Sequence, residues 1–90
     1  MEALIVTGSD KSFSVIADVV RATGDYDIVR ANSGVASRRV FSTRDFDLAI
    51  IGGIPDENGK NLASFLAENG TTGVILIEDA FVYEEVAAKL

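Results

Sequence analysis

The 90-residue chain contains no cysteine and no histidine. Without cysteine there is neither a disulfide framework nor a thiolate metal site. Without histidine, the commonest general base and the commonest zinc ligand are both missing. Lysines are few, and no Ser-His or lysine-centred arrangement is present to activate a nucleophile. Long apolar runs are lacking too: the longest, such as residues 48–51 and 74–77, are much too short to cross a bilayer. The opening MEALIVTGSD has no charged n-region and no small-residue cleavage site, so no signal peptide is visible and a cytoplasmic location is expected. Positive charge is also short. Eight Lys and Arg against fourteen Asp and Glu give a net charge of −6, which argues against direct nucleic-acid binding. One local exception is Arg38, Arg39 and Arg44, with Arg30 nearby in sequence. Such a group either meets an acidic partner or forms the solvated face of a short helix, and the second reading is expected.

What is present is enough for one domain spanning residues 1–90. Apolar residues make up 48% of the chain, far from a disordered composition. Residues 3–7 (ALIVT) form a continuous β-branched run, the pattern of a strand buried on both faces. Ser9 and Asp10 then offer N-cap side chains, and Phe13, Ile16, Ala17 and Val20 fall on one face of a helix. Gly24 is expected at its C′ position. Residues 26–31 (YDIVRA) read as a second, more alternating strand at a sheet edge. Ser33-Gly34 turns the chain into a short helix near residues 35–43.

Residues 47–51 are the third strand, and IPDENG after them carries strong turn chemistry. A helix with Leu62, Phe65 and Leu66 on one face ends near Asn69-Gly70. Residues 73–77 (GVILI) are a fourth apolar strand. In residues 80–90, Val82, Val86 and Leu90 recur at four-residue spacing, with Glu84 and Glu85 turned away. The order βαβαβαβα predicts a parallel sheet covered by helices on both faces. In such sheets function gathers at the carboxyl ends of the strands. That edge comprises residues 7–10, 32–34, 52–58 and 78–79.

Gly8, Gly34, Gly52, Gly53 and Gly59 all fall in these loops, where glycine lets amides approach a phosphate. None has the spacing of a dinucleotide or P-loop fingerprint, so tight turns are the expected reading. Asp10, Asp56, Glu57, Glu78 and Asp79 converge on the same edge. Together they suit either Mg²⁺ or the amino termini of helices, and capping is expected, with Asp10, Asp56 and Asp79 each preceding or beginning a helix.

The loops resemble the receiver domain of two-component response regulators. ALIVTGSDK is similar to its first strand and loop, YDIVRANSGVASRRVF to strand two and helix two, and GVILIEDA to strand four. RDFDLAIIGGIPDENGKNLA resembles the third strand, loop and helix, in which D-L-x-x-x-D is followed by L-P-D-x-x-G. TGSDK, RDFDLAII and IPDENG are most similar to the degenerate receivers of Firmicutes ANTAR-type RNA-binding antiterminator regulators. The resemblance implies a flavodoxin-like three-layer sandwich with strand order 2-1-3-4. It also implies a fifth strand and a fifth helix, which do not follow here before Leu90.

Carried over residue by residue, the same resemblance implies that the chemistry is gone. The acidic pair that binds Mg²⁺ is matched by Thr7 and Gly8. The phospho-acceptor position is Gly52, and Pro55 follows it one residue early. The Ser or Thr that ends strand four is matched by Glu78. No nucleophile is left to accept a phosphoryl group, and nothing is left to hold Mg²⁺ beside it. Asp47, at the start of the third strand, is expected to point away from that site. The expectation is a non-enzymatic signalling module with no cofactor and no metal. It would act on protein partners or on an output domain of the same regulator, for transcription or antitermination. Phe81, Val82, Val86 and Leu90 are the candidate partner surface, and homo-oligomerisation through the strand-four and helix-four edge is a further option. The alternative is a flavodoxin-like domain binding a small molecule or nucleotide through the Gly52-Gly53 loop.

Overall fold

A computed structural model describes residues 1–77. These residues form β1 (Glu2–Val6), α1 (Asp10–Thr23), β2 (Asp27–Ala31), α2 (Gly34–Phe41), β3 (Leu48–Ile51), α3 (Gly59–Glu68) and β4 (Gly73–Leu76). The strands make one parallel sheet, as the alternation of strands and helices predicts, with β1 and β3 central in the order β2-β1-β3-β4 that the resemblance implies. The fourth helix expected over residues 80–90, with Phe81, Val82, Val86 and Leu90, lies outside the described residues, as do Glu78 and Asp79. Among the described residues no helix is long and apolar enough to cross a membrane.

The apolar runs explain why β1 and β3 are central. Leu48, Ala49, Ile50 and Ile51 are all buried, and so are Ala3 to Val6. Because side chains alternate along a strand, each run feeds two cores. Ala3, Ile5, Leu48 and Ile50 join Ile16, Ala17, Val19 and Val20 of α1. Leu4, Val6, Ala49 and Ile51 join Leu62 and Leu66 of α3, with Ala36, Val40 and Phe41 of α2 packed against them. Each fully buried Val, Leu or Ile contributes about 1.5–3 kcal/mol relative to exposure, so these rows dominate stability.

Two local expectations change. The second strand does not alternate: Asp27 is exposed, Ile28, Val29 and Arg30 are half-buried, and Ala31 is buried. Ile28 packs against one core and Val29 against the other, so this edge strand is half covered on both faces. Gly24 does close α1, its N–H donating to Val20 O at 3.2 Å, but with extended backbone at φ −171°. The left-handed helix end belongs to Gly70, at φ +106°. There Thr71 N donates to Leu66 O at 3.1 Å and Gly70 N to Ala67 O at 3.4 Å, the two bonds of a Schellman motif.

Candidate functional site

The carboxyl ends of β1 and β3 meet at Thr7, Gly8, Gly52 and Gly53, the positions singled out in the sequence. Ladder bonds run on past both strands: Thr7 N donates to Ala31 O at 3.0 Å and Gly52 N to Val6 O at 2.7 Å. The Thr7 side chain is fully buried. Its hydroxyl accepts from Ser9 N at 3.2 Å and lies 3.4 Å from Gly53 O, to which it donates. A Cβ on Gly52 would stand 3.2 Å from Thr7 Oγ1 and 3.3 Å from Thr7 Cβ, closer than most packed side chains tolerate. Thr7 therefore crowds the first carbon of any side chain at position 52.

The loop after β3 closes over the same junction. Gly8 N donates to Gly53 O at 2.9 Å, stitching the β1–α1 loop to the β3–α3 loop. Pro55 Cδ and Asn32 O lie within 3.4 and 3.6 Å of where a Gly8 Cβ would be. A backbone carbonyl thus faces the end of β1, an arrangement that repels an anion instead of seating one. Two shallow clefts flank the closed junction. One, of about 300 Å³, is lined by Gly52, Gly53, Ile54, Asn58, Lys60 and Leu76 among others. The second, of about 320 Å³, is lined by Gly8, Asp10, Arg30, Ala31, Asn32 and Ala36.

The described carboxylates at this edge, Asp10, Asp56 and Glu57, are engaged by other groups of the chain. Asp10 Oδ1 lies 2.7 Å from Arg30 Nη1, and that guanidinium also sits over the Phe13 ring and donates to Thr7 O at 3.4 Å. Among the described residues no three acidic, His or Cys side chains are placed to hold a metal ion. Asp56 does cap a helix, but not the one that follows it. The α3 N-cap is Asn58, whose Oδ1 accepts from Lys60 N at 2.8 Å. Asp56 instead accepts from Gly34 N at 2.8 Å and Val35 N at 3.0 Å, the first two amides of α2. Glu57 pairs with Arg38, which stacks over the Phe65 ring at 4.8 Å. Arg38 is therefore half-buried and paired, whereas Arg39 is exposed. Arg44 reaches Glu2 at 3.5 Å. Asp47 lies at the opposite edge of the sheet as expected, its Oδ2 accepting from Glu2 N at 2.8 Å.

These contacts set two ionisation states. The hydrogen bonds from Gly34 and Val35, aided by the charge of Arg38, hold the Asp56 carboxyl below its ordinary 3.8. The side-chain hydrogen bond to Glu57 raises Arg38, against the opposing effect of its burial. A carboxyl lowered on folding stabilises the fold above its unfolded value and loses that contribution as pH falls through the folded value. Because Asp56 is exposed, solvent screens the effect. Urea unfolding of the wild type and Asp56→Asn is expected to show a stability difference above about pH 4 that shrinks on further acidification. A difference independent of pH in that range would contradict the assignment.

The chain matches no protein-family model, and no curated protein matches it significantly.

Proposed function

We propose that the chain is a pseudo-receiver: a receiver-type signalling module that has lost phosphotransfer and works by protein contact. The strand order β2-β1-β3-β4 and the loop motifs support this reading. The observation that carries it is the closed junction, where the Thr7 side chain packs at Gly52 and Gly53 O takes the Gly8 amide. In this reading the full domain is a three-layer flavodoxin-like sandwich, with α1 on one face and α2 and α3 on the other. Its output is transcription control or antitermination through a domain of the same regulator, and its address is the cytoplasm.

The partner surface falls on the β4 edge and the segment after it, including Phe81, Val82, Val86 and Leu90. The two sheet edges differ in a way that supports this. β2 carries Asp27 and Arg30, charges that discourage strand addition, whereas β4 (GVIL) carries none. A second copy of the chain is one candidate for that edge. The rival reading, a small-molecule binder, draws on the cleft of about 300 Å³ beside Gly52 and Gly53, at the small end for ligand pockets.

Incubation with Mg²⁺ and acetyl phosphate tests the loss of phosphotransfer. The intact mass is expected to stay unchanged, and a stoichiometric phosphoryl increment would overturn the proposal. A saturable thermal shift with a small metabolite or nucleotide would favour the rival.

A further inference from the structure

We infer that residues 53–58 form a strap that couples α2 to the end of β1, so that strap and helix open and close as one unit. The inference stands on the contacts of these residues and does not depend on the receiver reading.

At eight residues α2 is the shortest helix described, below the length at which isolated helices hold in water. Its opening amides need partners from outside the helix. Ser33, the local N-cap, takes only Ala36 N, at 3.0 Å. Gly34 N and Val35 N are satisfied by Asp56, a residue 22 and 21 positions further along the chain. Beside them the Glu57 carboxylate, 17% exposed, pairs with Arg38 of α2. The fit there is closed, because a Cβ on Gly34 would overlap the Glu57 carboxylate and approach its Cγ to 2.8 Å.

Dependence runs in both directions. If the strap leaves, Gly34 and Val35 lose their acceptor and Arg38 loses its counter-ion. If α2 leaves, both carboxylates lose their donors at once. The strap's other end is fixed at Gly53 O by the Gly8 amide. Undocking α2 should therefore be felt at Gly8, which touches neither carboxylate. Such reciprocity is the signature of two elements sharing one equilibrium. It gives the domain a two-state surface helix that requires no phosphorylation.

Residue-resolved amide exchange on the 90-residue chain tests this. Asp56→Asn and Glu57→Gln alter the strap, and Arg38→Met alters α2 while keeping an apolar stem over Phe65. Each is expected to speed exchange about tenfold or more at both the α2 amides and Gly8, with Ile16 to Val20 of α1 unchanged. Faster exchange in α2 with Gly8 unmoved would overturn the coupling. Equal acceleration across α1 as well would also overturn it, because it would report global destabilisation. No change at either place would show that the strap does not hold the helix.

Discussion

Gly52→Asp, which puts a carboxylate where the proposed receiver reading places a phospho-acceptor, is expected to destabilise the domain by about 2–4 kcal/mol and to gain no phosphoryl group. Two costs combine. The new Cβ meets Thr7 Oγ1 at 3.2 Å and Thr7 Cβ at 3.3 Å, so the packing must give by a few tenths of an ångström. The carboxylate then stands at a buried backbone position beside the Thr7 hydroxyl, already engaged with Ser9 N and Gly53 O, and beside Val6 O at 3.7 Å from the Cβ. Burial at this position disfavours the charged form, so the group's own pKa would rise. Gly52→Ala keeps the contact and omits the charge, and its cost should be nearer about 1 kcal/mol. Urea unfolding measures both. An aspartate variant as stable as the wild type would mean that the junction is roomier than the Thr7 packing implies.

The second large effect is expected at Ile50→Ala, at about 2–5 kcal/mol. Ile50 is fully buried in the central strand β3, in register with Ile5 on one side and Ile75 on the other. Truncation leaves a cavity between the sheet and α1 that this row cannot close without moving two strands. Small domains are stable by only about 5–15 kcal/mol, so a loss of this size would show as a large fall in the urea midpoint. A change below about 1 kcal/mol would mean that the core relaxes around the gap.

Most of the scaffold was legible because periodicity is local. The β-branched runs of β1 and β3 and the apolar faces of α1 and α3 announce themselves within a few residues, and alternation with helices then dictates a parallel sheet. The ends were less legible. Gly24 reads as a left-handed cap, yet it is extended, whereas Gly70 adopts the left-handed turn after Asn69. Both glycines fit the helix-end pattern, and only the following chain direction separates them.

At the candidate site, the vacant positions were visible but their filling was not. Thr7 and Gly52 are 45 residues apart, and no sequence pattern says that the side chain of one crowds the other. The sequence predicts Asp56 as a helix-capping residue, which is correct in kind and wrong in target. Asn58 stands directly before α3 and takes that cap, leaving Asp56 to find the amides of α2 instead. That Asn58 leaves Asp56 spare was the one clue available. The pairing of Arg38 with Glu57 left no clue at all, since their contact depends on how α2 and the β3–α3 loop pack.

The central proposal is that the carboxyl edge of this parallel sheet has no working phosphoryl site. An amide NMR titration with Mg²⁺ and beryllofluoride, which mimics a bound phosphoryl group, tests it most directly. The account predicts no saturable shifts at Thr7, Gly8, Gly52 or Gly53, because Thr7 and the Gly53 carbonyl close that junction. Saturable shifts centred on those four residues would contradict it.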